Sequence, residues 1–320
     1  MDLEMKYIYE VYQAKSFSKA AEKLFISQSA ISAMVRKAET ELGCQIFDRS
    51  TIPFTLTSEG EFYIHHVKQI MALENDIKIY FKDRQDKKTG LLRIGSSSFY
   101  SAYMLTPLLS AFQKKYPGIE VQLKEGDGKE LQKFFSDGAI DFIFGALSKE
   151  NVQDKIQEVI FSHEYLVLAV PKTFSINQEL KQYQIPSKCI QDYTFLDESI
   201  PAVPLWKFQD CPFISLTKEG SDLYQRMLKI CQNAGFTPNI TQYLSQIMTS
   251  YFVAAAGKGA TFIRSSLLTI IKERQGLIYY KLADPLAKRP IYIIYRKERY
   301  ISHAMSAFLD FCGCYTLPSQ

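Results

Sequence analysis

Gln28, Ser29, Ser32, Ala33 and Arg36 sit close together on a segment whose apolar residues, Ile31, Val35, Ala38 and Leu42, recur at helical spacing. An amide side chain can pair bidentately with adenine, and a guanidinium can reach guanine or a phosphate. Polar side chains of these types at the start of a short helix therefore suit base reading in a DNA major groove. The hydroxyls of Ser27 and Ser29 can donate to phosphates, helped by the helix N-terminus. Lys37 and Arg49 fit phosphate contact better than base readout. Without DNA the same residues read more plainly, with Ser27 as a helix cap and Gln28 as a solvated amide.

Other chemistry is poorly represented. The histidines (His65, His66, His163, His303) are scattered, and no Gly-rich phosphate loop, His-Glu metal pair or nucleophile elbow occurs. The cysteines are Cys44, Cys189, Cys211, Cys231, Cys312 and Cys314. In a cytoplasmic chain they are reduced and act mainly as small apolar packing residues. Cys312-Gly-Cys314 is too close and too isolated a pair for a zinc site. The start of the chain has no basic region followed by an apolar core, which points to the cytoplasm, and no run approaches the roughly 18 apolar residues that cross a bilayer. The net charge of +4 is mild, and acids and bases roughly balance over residues 1–90, so any DNA contact comes from a local patch.

The elements that position these residues follow from periodicity. A first helix carries Leu3, Tyr7, Ile8, Val11 and Tyr12; Lys15–Ser18 interrupts it, with Ser18 as the expected N-cap of a second helix burying Ala20, Ala21 and Leu24. Phe25-Ile26-Ser27 turns into the helix from about Gln28 to Leu42, and Gly43 stops it. Two short helices joined by a tight turn form a helix-turn-helix pattern. Two extended pieces around a polar, proline-containing tip, over residues 44–57, read as a β-wing. Thr57 or Ser58 then caps a helix reaching about Arg84, with more apolar surface than one small domain covers. Such a helix links domains or pairs with a partner, and residues 85–90 form a hinge after it. From Leu91 the chain alternates strands (91–95, 119–123, 140–144, 165–170, 260–263, 291–295) with helices (103–116, 129–137, 221–234, 246–256, 303–311), which predicts a parallel sheet covered by helices.

The run Phe17-Ser18-Lys19-Ala20-Ala21-Glu22-Lys23-Leu24, then Ser27 to Ser32, Glu41-Leu42-Gly43, Leu56-Thr57 and Gly60, resembles the LysR-type transcriptional regulator signature across nearly all of residues 1–60. Leu92-Arg93-Ile94-Gly95, Phe112 to Pro117, Gly138 to Asp141 and Ala255 to Gly259 resemble that family's effector-domain landmarks more loosely. The resemblance implies a winged helix-turn-helix at 1–57, a linker and dimerisation helix with its hinge at 58–90, and an effector domain at 91–320. It implies an α/β fold there, as two Rossmann-like subdomains (about 91–162 with 266–320, and about 163–265) similar to periplasmic binding proteins. It further implies dimers pairing through the linker helix, tetramers built from them, control of promoter DNA, contact with RNA polymerase, and no cofactor, metal or membrane partner. One departure lies at the wing, where Thr51-Ile52-Pro53-Phe54 replaces the basic tip of many relatives; wing contact should be weak, with a shallow salt dependence.

By the same resemblance, the effector lies between the subdomains. Ser97, Ser98, Phe99 and Tyr100 follow the first effector-domain strand, and hydroxyls with free N–H groups there suit an anion. Ala146 and Leu147 are expected on the opposite wall, with Thr217, Ser221 and Met248 from the second subdomain; Trp206 would add apolar surface. Read plainly, the serines only cap helices. Arg264, where many relatives have a proline nearby, is read as a surface residue, with an anionic ligand as its alternative partner. A redox sensor of the same fold using Cys189 and Cys211 is a second reading. An enzyme lacks a nucleophile–base pair here, and a solute-binding protein leaves the N-terminal unit without a purpose.

Overall fold

The computed structural model describes residues 2–85, 89–146, 156–218, 221–271 and 275–315. The chain divides into two compact units, one of Met1–Lys87 with Lys133–Ile140 and Arg299–Ser302, the other of Lys88–Gln132, Asp141–Glu298 and His303–Gln320.

In the first unit, α1 (Leu3–Ala14), α2 (Phe17–Lys23) and α3 (Gln28–Leu42) bury Ile8, Val11, Ala20, Ala21, Ile31, Val35 and Ala38 in one core. The cap of α2 is Ser16, not Ser18: its Oγ accepts the Lys19 N–H at 3.4 Å. The helix starts early enough to include Phe17, whose ring packs against Phe47 and Phe54 at 5.8 and 5.3 Å. Ser27 caps α3, its Oγ accepting the Ala30 N–H at 3.1 Å, and Gly43 ends α3 at φ 70°. Leu42, expected in the core, is 51% exposed on the last turn of α3.

The wing is a two-stranded ribbon of β1 (Phe47–Asp48) and β2 (Thr55–Leu56), antiparallel with Phe47 opposite Leu56. Thr57 then caps α4 (Ser58–Gln85), its Oγ1 accepting the Gly60 N–H at 2.9 Å. Gly60 is where α4 meets the wing: a Cβ on it would lie 2.0 Å from the Ile46 carbonyl oxygen. Along α4, Ile64 and Val67 are buried, whereas Phe62, Leu73, Ile77 and Phe81 are exposed. The expected hinge at 85–90 lies partly outside the described residues.

The second unit contains β3 (Gly90–Ser96), then α5 (Ser98–Tyr100), which runs through a π-helical turn (Ser101–Leu105) into α6 (Thr106–Lys115). There follow β4 (Ile119–Glu125), α7 (Gly128–Ser136), of which residues up to Gln132 belong to this unit, β5 (Phe142–Gly145) and the long β6 (Ile156–Pro171). Next come α8 (Ile176–Glu179), β7 (Gln184–Ile185), α9 (Ser187–Gln191), β8 (Pro212–Leu216), α10 (Asp222–Asn233), β9 (Asn239–Leu244) and α11 (Ile247–Ala255). The unit closes with β10 (Thr261–Arg264), α12 (Ser265–Ile270), β11 (Leu277–Lys281), β12 (Lys288–Arg296) and α13 (His303–Cys314).

The sheet is mixed rather than parallel. β3 pairs in parallel with β4 and β5, and β8 with β9, but β12 runs antiparallel to β5 and β6, and β10 and β11 run antiparallel to β6. The cause is β6, whose residues 156–165 pair with β12 and whose residues 166–171 pair with β10 and β11. One strand thus serves both halves of this unit. At the handover, Glu164 stands opposite Arg289 in register, and both side chains are buried. The Arg289 guanidinium donates to Glu164 through Nε and to Asp222 through Nη1, and its Nη2 reaches the Tyr100 hydroxyl at 3.1 Å. The Tyr100 hydroxyl also donates to Glu164 Oε1. Burial pushes the Glu164 carboxyl up, but the Arg289 and Arg264 guanidiniums outweigh it and hold its pKa below the usual 4.5.

Two predictions follow from this packing. Gly60→Ala forces α4 away from the wing and lowers the stability of the N-terminal unit by about 1–3 kcal/mol, as overpacking does, read by urea unfolding of the full chain. Glu164→Gln leaves Arg289 with Asp222 as its carboxylate partner and costs about 3 kcal/mol, the low end for breaking a buried pair. Because the folded carboxyl is depressed, its contribution is present above the unfolded value of 4.5 and disappears as pH falls through the lower folded value. The difference in Tm between wild type and Glu164→Gln should shrink on acidification; a constant difference would refute the ionised pair.

Candidate functional sites

The exposed surface of α3 opposite its buried Ile31, Val35 and Ala38 carries the residues suited to DNA. Gln28, Ser29, Ala33, Arg36 and Lys37 are exposed and Ser32 is half-buried. Ser27 spends its hydroxyl on the cap and also lies 2.9 Å from the Ser29 hydroxyl. Ser18 donates to Gln28 Oε1 at 2.9 Å and so orients the amide. Lys37 lies 3.5 Å from Glu41, one turn on, in a solvated pair that leaves the ammonium free to exchange partners. Arg49 is more constrained: its Nη2 donates to Glu39 at 2.8 Å and its guanidinium lies 5.3 Å from the Phe17 ring centre. Glu39 also accepts the Ile46 N–H at 3.0 Å, so Arg49 helps fasten the wing to α3. Phe25 in the turn and Ile52 at the wing tip are fully exposed.

In the second unit a cavity of about 500 Å³ opens at the carboxyl ends of the parallel strands, the usual ligand position in such sheets. Of the residues singled out from sequence, Ser97, Ser98, Phe99, Tyr100, Ala146, Thr217 and Ser221 line it. Leu147 lies outside the described residues. Met248 does not line it; its neighbours Gln246 and Ile247 do, and Met248 packs against the core instead. Trp206 is half-exposed away from the cavity, under the Lys207 ammonium at 4.9 Å. Two of the serines differ in what they do. Ser221 caps α10, accepting the Tyr224 N–H at 3.2 Å. The Ser97 hydroxyl caps nothing; it is buried with no hydrogen-bond partner among the described residues.

Gly145, at φ 150°, ends β5 beneath Tyr100, and a Cβ there would come within 3.1 Å of the ring. The ring is thereby seated with its hydroxyl in the ion cluster, where burial pushes its pKa well above 10. Arg264, read as a surface residue, is in fact only 8% exposed and lines the cavity with Arg289. It closes β10, whose register opposite Leu166 aims the last side chain inward beside Glu164. Its guanidinium lies 4.5 Å from the ring centres of both Phe99 and Tyr100. Arg289, Glu164 and Asp222 were also missed by sequence reasoning; for Arg264 the sequence offered an anionic ligand only as the alternative to a surface position.

The thiols offer a poor redox centre. Cys189 and Cys211 are free and half-buried, and burial together with Asp210 raises the Cys211 pKa, opposite to what a reactive thiolate needs. Burial pushes Cys231 and Cys312 up to about 12. Among the described residues, no group of His, Cys, Asp and Glu is arranged to hold a metal, and no helix is long and apolar enough to cross a membrane.

Comparison with known proteins accounts for both units. Residues 3–61 match the bacterial regulatory helix-turn-helix protein, lysR family, and residues 85–315 match the LysR substrate binding domain. The chain is 31% identical to the uncharacterized HTH-type transcriptional regulator YcgK of Bacillus subtilis (strain 168), over 97% of this chain and 93% of that one. It is 26% identical to the regulator AlsR of the same organism, over 97% and 94%. Among solved structures, it shares the fold of CbnR complexed with its target DNA (TM-score 0.62, 19% identity, 98% and 99% covered). It also shares that of a full-length OxyR variant from Pseudomonas aeruginosa (TM-score 0.69, 20% identity, 98% and 94% covered). A DNA-reading unit followed by an effector-binding unit, matched along the whole chain, places this protein in the LysR family of transcriptional regulators.

Proposed function

We propose that the protein binds promoter DNA in a sequence-specific way through α3 and that a small anionic effector, held in the cavity of the second unit, tunes that binding. The observation that carries the DNA part is the division of α3 into a buried apolar face and an exposed face bearing Gln28, Ser29, Ala33 and Arg36. In the major groove Gln28 and Arg36 read base edges, while Ser27, Ser29 and Lys37 meet phosphates. Arg49 contacts phosphate only from the position Glu39 gives it. The exposed Phe62, Leu73, Ile77 and Phe81 on α4 support pairing of two chains along that helix, and homotetramers built from such dimers place several reading helices on one promoter. RNA polymerase is the partner through which the bound assembly acts.

The cavity supports an effector rather than a catalytic role, because Arg289, Glu164 and Asp222 are tied to one another and, among the described residues that line it, none stands as a nucleophile beside a base. A redox switch through Cys189 and Cys211 is not supported by the raised Cys211 pKa.

Footprinting of the full-length protein on DNA upstream of its own gene, across a salt series, tests the reading. Protection should span two or more helical turns. Gln28→Ala with Arg36→Ala should weaken it by roughly 100-fold or more while Tm is unchanged. Lys37→Ala should weaken all sequences alike and flatten the salt slope by about one unit. No specific protection there or elsewhere in the genome would remove the function. A Cys189→Ser, Cys211→Ser double variant should keep its DNA response in oxidant; loss of that response would restore the redox reading.

A further inference from the structure

The cavity contains a cation that the protein itself does not complete. Arg264 is nine-tenths buried, yet among the described residues its Nε and Nη1 have no hydrogen-bond partner. The nearest acid among the described residues, Glu164, is 3.9 Å away, beyond hydrogen-bonding distance, and is already held by Arg289 and Tyr100. Arg289 differs, because all three of its donor nitrogens are engaged. Buried donors on charged groups are rarely left unmade in a folded protein unless a ligand, water or ion completes them. Ser97 supplies an independent sign: its buried hydroxyl, in the wall of the same cavity, is likewise unpartnered among the described residues, although a serine before a helix ordinarily caps it.

Charge decides the class of ligand. Arg226 donates to Asp222 at 2.9 Å, so Arg226, Arg264 and Arg289 outnumber Glu164 and Asp222 by one, and the floor accommodates one negative charge on the free donors of Arg264. The rim is acidic: Glu125, Asp127 and Glu130 line the same cavity. Asp127 and Glu130 each accept the other's backbone N–H, which fixes their carboxylates there. A second anionic group would face that rim. The Phe99 and Tyr100 rings beneath the guanidinium leave its edge, rather than its face, for the incoming group, the geometry in which arginine binds carboxylate.

We propose that Arg264 is the anchor for the effector's carboxylate, with Ser97 as a second donor, and that the effector is a small monocarboxylate whose remaining part is uncharged or cationic. This rests on the reading of the cavity as the effector site, and it adds a specificity-determining residue to that site.

The test is calorimetric titration of the full-length protein with acetate, butyrate, benzoate and alanine as monocarboxylates, and with succinate and inorganic phosphate as counter-probes. At least one monocarboxylate should bind at millimolar concentration, more tightly than either counter-probe. Arg264→Met should weaken it about 10- to 100-fold, Arg264→Lys less, and Ser97→Ala less again. Removing a cation that lacks its hydrogen bonds should leave the ligand-free Tm of Arg264→Met unchanged or higher; a purely structural Arg264 would lower it. Ala146→Trp, which fills the cavity, should abolish binding. Loss in Ala146→Trp with full binding in Arg264→Met would overturn the anchor and leave the cavity as the site. Full binding in both would overturn the cavity reading itself. Tighter binding of succinate or phosphate, or binding of no monocarboxylate, would overturn the ligand class.

Discussion

Arg289 is the group on which the second unit depends. It sits at the point where β6 stops pairing with β12 and starts pairing with β10 and β11, and it is almost wholly buried. A guanidinium cannot be neutralised to escape that environment. Burial by itself favours losing the proton, but Glu164, Tyr100 and Asp222 more than offset this and push its pKa above its ordinary value. Its partners must therefore come to it, from β6, the helix after β3 and the start of α10. Two of those segments, the helix after β3 and the start of α10, also line the cavity, and Arg289 itself does. A buried ion pair is weak evidence of net stability, since apolar replacements often do as well. What this one does is fix where the strand crossing lies, and with it which side chains face inward.

Arg264 follows from the same geometry. β10 must pair with the half of β6 beyond the crossing, so its final residue arrives beside Glu164. Glu164 cannot serve two guanidiniums equally: its Oε1 is taken by Arg289 and Tyr100, and Oε2 has only a 3.5 Å contact from Ser266. Arg264 is left with two aromatic faces and a distant carboxylate. Stacking on rings lowers the cost of burying a guanidinium but supplies no acceptor for its N–H groups.

The N-terminal unit was legible in the sequence almost throughout because its signals are local. Ser27, Gly43 and Thr57 cap or end helices within a few residues of where they stand, and Ile31, Val35 and Ala38 declare their face by spacing. The misplaced cap, Ser18 for Ser16, came from a decision only Phe17 could make, by packing on rings thirty residues and more away. In the second unit the strands with continuous apolar runs were readable. β8, β9, β11 and the first half of β6 were not: β9 is largely exposed and the start of β6 alternates weakly, so neither has a buried run. The ion cluster had no local signature at all. Its members, at positions 100, 164, 222, 264 and 289, meet only because β6 is shared, and a lone arginine in a sequence is ordinarily a surface residue.

The two units ask different things of charge. On α3 the charges are solvated and exchangeable, so their contribution to DNA contact depends on salt and is lost when partners change. In the cavity they are withdrawn from water, so screening hardly reaches them and each unmet donor is felt in full. An anion that met Arg264 would stabilise only those arrangements of the unit in which Phe99, Tyr100 and the end of β10 lie as they do here. A ligand shifts an equilibrium by no more than its differential affinity for the states involved. A donor set left incomplete by the protein supplies such a difference directly, because the arrangement that leaves Arg264 without acceptors is the one a carboxylate stabilises most.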